Sequence, residues 1–278
     1  MCMRARTVAF AHNSYINDRM KIMRRILIYS VLLLAMLTAI PASATEFDNE
    51  SLHYKVMYKW GLVNKQAGRA TLTLKASPDK YYTSLTARSE KWADRFFMVR
   101  DTLKGEIMRD GFKPVIYQKR SHEGGDHKHD VVRYVYNGAR VTGQCTRKAW
   151  DNKGKMTRNE ERTLEAYGTT VDMLSSFYYM RNLPYQNWKE GHVVTVNIYS
   201  GKRKELLTIK YLGIENVKYD KKSFRCYKIR FQFTSDGRNK TSDDMDAWIS
   251  VDTQRIPVKL EGKLKVGTVR CFYTGTSE

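Results

Sequence analysis

Apolar and polar residues alternate with a period of two along most of this 278-residue chain, and that alternation constrains its fold more than any motif it carries. The stretch Asp246–Glu261 shows the pattern best. Ala247, Ile249 and Val251 fall on one side and Trp248, Ser250 and Asp252 on the other; after a turn, Ile256, Val258 and Leu260 alternate with Pro257, Lys259 and Glu261. Successive strand side chains point to opposite faces, so the stretch reads as two half-buried antiparallel strands. Asp252 is placed to open the turn through its side chain. Pro257 has no N–H to give a ladder and suits the start or edge of the returning strand.

The same reading extends back through the chain. Leu52, Tyr54, Val56, Tyr58 and Trp60 alternate with polar residues, Gly68 to Leu74 does likewise, and Ser77-Pro78-Asp79 turns the chain into Tyr81–Arg88. A strand follows over Arg95–Met108, opening on Phe96 and Phe97. Asp110-Gly111, Asn137-Gly138 and Asp236-Gly237 are turn signals, Ser121–His129 reads as a polar loop, and Met156–Leu164 is polar enough for an edge strand. One segment breaks the rhythm: Val171, Leu174 and Tyr178 share a helical stripe, with Met173, Phe177 and Met180 on the next. A helix is predicted over 170–181, with Thr170 as cap, Asp172 in the positive first turn, Arg181 in the last turn and Pro184 as stop. A dozen or more short strands do not lie in one flat sheet. The expected fold is therefore mainly β, an antiparallel meander forming a curved barrel or half-barrel with one short helix across its mouth. A two-sheet sandwich is the alternative.

The first 44 residues are set apart from that fold. Arg24 and Arg25 precede an apolar run, Ile26–Ile40, and Ala42 and Ala44 supply the small residues of a cleavage site. This is the pattern of a secretory signal peptide behind an N-terminal extension, leaving 45–278 as a single β-rich domain in the periplasm or cell envelope. The run is short for a membrane span, and no transmembrane anchor is expected in the remainder. The chain carries 49 Lys and Arg against 29 Asp and Glu, a net charge of +20. Such a charge favours anionic surfaces. An exported protein seldom meets nucleic acid, and the basic residues are scattered over outward strand positions, so nucleic acid is not an expected partner. Cys145, Cys226 and Cys271 remain after cleavage; Cys226 and Cys271 lie in strand-like segments and could bridge only if those strands are neighbours.

Chemistry-bearing motifs are sparse. The cluster His122, Glu123, Asp126, His127 and His129 has metal-ligand residue types, but its spacing fits no tight template and Gly124-Gly125 belongs in a flexible hairpin. No metal and no cofactor is expected. The chain has no G-x-S-x-G elbow, no H-E-x-x-H and no C-x-x-C, and Ser175-Ser176 lies inside the predicted helix, away from the exposed turn a nucleophile needs. Arg100-Asp101 and Asp252 with Arg255 read either as structural ion pairs or as ligand contacts.

Four segments, in order along nearly the whole chain, carry a family resemblance: Leu52-x-Tyr54-x-Val56, Val99-Arg100-Asp101, Asp172–Arg181, and Trp248-x-Ser250-x-Asp252-x-x-Arg255-x-Pro257-Val258. Together they resemble the exported bacterial proteins of domain of unknown function family 3108. The resemblance implies a β-rich fold and a bacterial envelope location, and it brings no catalytic residues. The long basic stretch before the signal peptide departs from it. The function expected is a non-enzymatic binding or carrier module for an apolar or anionic envelope ligand: a lipid, a glycan or a peptide. Trp60, Arg100, Asp101, Trp248, Asp252 and Arg255 are the candidate ligand residues, because aromatic-lined barrel mouths hold small ligands. An enzyme acting on envelope polymers would need a converging polar constellation. A structural envelope protein would need an exposed patch and no cavity.

Overall fold

The computed structural model describes residues 46–96, 98–123, 125–235, 242 and 244–276. Ala42, Ala44, Phe97, Gly124 and the Asp236-Gly237 turn lie outside them.

The first half of the domain is a continuous meander: β1 (Glu50–Trp60), β2 (Val63–Ala76), β3 (Lys80–Ser89), β4 (Val99–Met108), β5 (Pro114–Glu123), β6 (Asp126–Asn137), β7 (Arg140–Trp150) and β8 (Met156–Tyr167). The second half holds β9 (Thr170–Val171), β10 (Val193–Tyr199), β11 (Lys204–Tyr219), β12 (Lys222–Ser235), β13 (Met245–Ser250), β14 (Pro257–Lys263) and β15 (Thr268–Gly275). Antiparallel pairing of β1 with β15 joins the halves into one sheet of 15 strands, ordered β8 back to β1, then β15 back to β9. Only β9 with β10 is parallel, which makes the sheet mixed.

The sheet curls until its two edges nearly meet, a barrel-like arrangement rather than a sandwich. Side chains span the gap that ladders leave open. Asn197 Nδ2 donates to Tyr167 O at 2.9 Å, Tyr134 Oη to Tyr199 O at 2.8 Å, and Arg162 Nη1 to Lys202 O at 3.1 Å. The predicted edge strand is indeed the edge, β8. Its exposed, charged side chains suit a strand whose outer groups must not recruit another chain.

Alternation places the core as the sequence implies, except that Val258, at a register shift between β13 and β14, packs with Trp248 instead of sharing a face with Leu260. Leu52, Tyr54, Leu72, Leu74, Leu103, Tyr117 and Val132 share one inner cluster; Ile198, Leu207, Ile209, Ile229, Ala247 and Ile249 share a second. The helix lies inside and serves both, with Tyr178 in the first cluster and Met180 in the second.

Several expectations need correction. The helix spans Ser175–Arg181 rather than 170–181, because Thr170 and Val171 are claimed by the β9 ladder. Asp172, not Thr170, caps it: Asp172 Oδ1 accepts from Leu174 N at 2.6 Å and Ser175 N at 2.8 Å. The polar stretch Ser121–His129 is mostly strand, with β5 running to Glu123 and β6 starting at Asp126. A four-residue helix, Lys91–Asp94, occupies the segment before β4. All three cysteines are free thiols. Cys226 on β12 and Cys271 on β15 have two strands between them, about 14 Å at the usual strand spacing and well beyond disulfide reach.

Candidate functional site

The two ends of the barrel differ. At one end lie Glu50, the Asp252–Arg255 turn and the Ser175–Arg181 helix, and this end is filled. Arg181, fully buried, donates through Nη2 to Glu50 Oε2 at 2.9 Å and through Nη1 to Glu50 Oε1. It also donates through Nε to Arg255 O and through Nη2 to Gln254 O, each at 2.9 Å, and its guanidinium stacks 4.2 Å from the Phe47 ring. Tyr178 Oη reaches Thr73 O at 3.2 Å.

The other end carries the turns β1–β2 and β14–β15 and the segment between β3 and β4. These are neighbours by register, since Lys59 pairs with Thr268 and Gly68 with Ser89. Here an apolar cavity of about 520 Å³ opens to the surface, lined among others by Val56, Tyr58, Trp60, Trp92, Val99 and Val269. Val56, Tyr58 and Trp60 continue the inward face that Leu52 and Tyr54 begin, so the cavity is the barrel interior where core packing stops. Two contacts hold its rim. Tyr58 Oη donates to Val266 O at 3.0 Å, and Gly267, at φ +82°, lets the β14–β15 turn approach β1 so closely that an added Cβ would lie 2.5 Å from Lys59 O.

The Lys91–Asp94 helix roofs one side of the cavity. Trp92 Nε1 donates to Gln66 O at 2.6 Å, and the Lys65 ammonium lies 5.0 Å from the Trp92 ring centre. Arg100 ties the helix down from β4: Nη2 donates to Asp94 Oδ2 at 2.7 Å and Nη1 to Ser89 Oγ at 2.9 Å. Hydrogen bonding to Arg100 holds the Asp94 carboxyl below its ordinary range.

Beside this apolar wall the inner face turns ionic. Asp101 pairs in register with cavity-lining Ala87, and Leu103, Lys119, Asp130, Arg147 and Glu160 are successive cross-strand partners on the same face. Lys119 Nζ lies 3.1 Å from both Asp101 Oδ2 and Glu123 Oε1. Arg147 lies 3.3 Å from Asp130 and 2.7 Å from Glu160. Burial pushes the Asp101 carboxyl up, against the pull of Lys119.

The six candidate ligand residues do not converge. Trp60 lines the cavity and is 59 % exposed. Arg100 and Asp101, adjacent on β4, face opposite sides and pair with other residues. Asp252 and Arg255 sit at the filled end. Asp252 Oδ1 accepts from Ser250 Oγ at 2.7 Å and from Gln254 N and Arg255 N at 3.1 Å each, shaping the expected turn. Arg255 donates to Gln186 Oε1 at 2.9 Å and lies 4.6 Å from the Tyr227 ring centre. Trp248 is 4 % exposed, on the face opposite Ala247 and Ile249, clustered with Val217, Cys226 and Val258. The ammonium groups of Lys259 and Lys228 lie 3.9 Å and 5.1 Å from its ring centre. It is packed away from the cavity. His122 and His127 stack ring on ring at 3.8 Å, and no group of metal-ligating side chains forms among the described residues.

Sequence reasoning missed Trp92, Val266 and Val269. Trp92 and Phe96 are four apart, a helical spacing that could have marked the Lys91–Asp94 turn.

Among solved structures the chain is similar to a β-barrel-like protein of domain of unknown function DUF1849 from Brucella abortus, at 11 % identity and a TM-score of 0.57, over 82 % of this chain and 96 % of that one. It also matches a candidate exported protein with a YmcC-like fold from Bacteroides fragilis, at 7 % identity and a TM-score of 0.35, over 84 % and 97 % of the two chains. The first likeness shows the fold. Comparison with curated proteins finds no match. Among the described residues no helix is long and apolar enough to cross a membrane. The model of the family "Protein of unknown function (DUF3108)" matches residues 53–273, most of the chain and nearly all of its sheet, and the chain belongs to that family.

Proposed function

We propose that the protein is an exported, non-enzymatic carrier that holds the hydrocarbon part of an amphiphile in the open mouth of its barrel. The observation that carries this reading is the apolar cavity of about 520 Å³ walled by Val56, Tyr58, Trp92, Val99 and Val269. Its size falls within the roughly 300–1,000 Å³ of pockets that take small ligands. Leaving so many apolar side chains against water costs on the order of 25 cal/mol per Å², which a bound chain recovers. The lining is predominantly apolar, with Arg69, Arg88 and Ser89 its few strongly polar members, so among lipid, glycan and peptide it favours lipid. The ionic face beginning at Asp101 gives the polar end of such a ligand somewhere to lie.

Titration with a fluorescent long-chain fatty acid, followed through energy transfer from tryptophan, tests the proposal. Saturable binding is expected in the parent. Filling the cavity with Ala87→Phe and Ala93→Phe is expected to weaken binding at least about tenfold, since about 1.4 kcal/mol of lost contact suffices for that factor. Parent protein that binds no probe, or a filled variant that is unchanged in affinity, refutes it.

A further inference from the structure

The cavity mouth is edged by large apolar side chains that are also exposed to solvent: Trp60, Val63, Phe96, Leu264 and Val266 line it, and Leu62 projects beyond it. Among the described residues, 13 large apolar side chains are exposed, and six of them, Trp60, Leu62, Val63, Phe96, Leu264 and Val266, lie on the three neighbouring segments of this one rim. The other seven are spread over the rest of the sheet. Leu62 is fully exposed at the tip of the β1–β2 turn, and Phe96 is 83 % exposed. Exposed apolar residues scattered singly need no explanation, but a contiguous set marks a surface that meets something.

Charge decides what that something is. Lys59, Lys65, Lys91, Arg95, Lys263 and Lys265 are exposed on the same three segments. Among the described residues none of the six forms a salt bridge, whereas Arg69, just below, is paired with Glu90. The acids of the rim are already engaged: Glu90 by Arg69, and Asp94 by Arg100. The rim is therefore a patch of apolar tips set among cations that have no carboxylate partner. Such a surface suits an interface that is negatively charged outside and hydrocarbon within, where tips enter the headgroup boundary and lysine stems bring their ammonium groups to phosphate. We propose that this rim docks on an anionic phospholipid bilayer, with Leu62, Phe96 and Leu264 inserted and the six cations against the headgroups. Docking is independent of whether the cavity is occupied. It would nonetheless set the mouth directly over the lipid.

The test is co-sedimentation of Thr45–Glu278, the compact unit containing the whole sheet and both core clusters, with vesicles. One set is phosphatidylcholine alone and the other an equimolar mixture with phosphatidylglycerol. Binding is expected to the anionic vesicles, with little to the zwitterionic ones, and to fall as salt rises from about 0.1 M to about 1 M and the screening length shrinks from about 10 Å to about 3 Å. Leu62→Glu, which does not line the cavity, and the pair Lys263→Glu with Lys265→Glu are each expected to weaken partitioning at least about tenfold. Both should keep the parent's circular dichroism and its affinity for the fluorescent fatty acid. The cavity-filling pair Ala87→Phe with Ala93→Phe should keep vesicle binding, so the two proposals fail separately. Equal binding to both vesicle types, no binding to anionic vesicles, or unchanged binding by the rim variants overturns the inference. A concentration-dependent dimer lost in Leu62→Glu, without vesicle binding, assigns the rim to a second copy of the chain instead.

Discussion

The two ends of one barrel solve the problem of a wide interior in opposite ways. At the filled end the chain inserts a helix and neutralises a buried guanidinium with Glu50 and two backbone carbonyls. At the open end it adds only the four-residue Lys91–Asp94 helix and leaves Val56, Val99 and Val269 lining a space that reaches solvent. The contrast teaches that the gap is not a consequence of poor packing. A chain that can seal one end with a satisfied charge at its centre could cover the other with a few more apolar residues, yet that end keeps exposed Trp60, Leu62 and Phe96.

The largest effect should come from unbalancing the seal. Arg181→Met leaves the Glu50 carboxylate without its buried partner and is expected to cost about 3–5 kcal/mol, because the stranded charge remains in a poorly solvated place. Urea denaturation measures it. The double variant Glu50→Gln with Arg181→Met should recover part of the loss; if it is as unstable as the single variant, the helix is held by packing rather than by the ion pair.

Next is a pH effect at the same end. Burial raises the Asp172 carboxyl to about 7, against the hydrogen bonds from Ser175 and Leu174 that would lower it. In an unfolded chain the group titrates near 3.9. A folded value above the unfolded one means that its contribution is full below about pH 4 and is lost as pH rises through about 7. The parent should therefore lose on the order of 4 kcal/mol across that window relative to Asp172→Asn, whose amide oxygen can still accept the capping bonds. Denaturation midpoints of the two proteins at a series of pH values would show it, and parallel profiles would contradict the raised value.

At the open end the expected effects on stability shrink. Gly267→Ala puts a Cβ at positive φ and against Lys59 O, costing about 1–2 kcal/mol and loosening the rim. Thermal melting and tryptophan emission should both report it. Trp60→Ala, at an exposed tip, should change stability by no more than about 0.5 kcal/mol while weakening fatty-acid binding. A large loss of stability there would mean that the open end is core after all and that the contrast between the ends is false.

Much of this fold is legible residue by residue. The alternation of Ala247 and Ile249 against Trp248, the turn built on Asp252, the strand start at Pro257 and the polar edge strand from Met156 all follow from local chemistry. Closure is not local: no short window announces that β1 pairs with β15. The helix boundary is not legible, because Thr170 is as good a cap as Asp172 until a two-residue strand competes for it. Trp248, on a face shared with Ser250 and Asp252, reads in sequence as a ligand residue; the stems and ammonium groups of Lys228 and Lys259 cover it, and lysine in a pattern reads as solvent. Of the cavity lining, the candidate ligand residues include Trp60 alone. The cavity's other walls come from five strands and a turn too short to show a period.

The seam between β1 and β15 has a further consequence, for the order in which the molecule can be made. Tyr58 reaches Val266 across 208 residues and Thr274 reaches His53 across 221. These contacts require the chain to close its longest loop before they return any stabilisation, which makes them late and slow events in folding. The cavity is walled by the first strand and the last, so an emerging chain has no mouth until its final strand arrives. The meander from β2 to β8 can assemble earlier, but the cavity exists only once β15 has paired with β1.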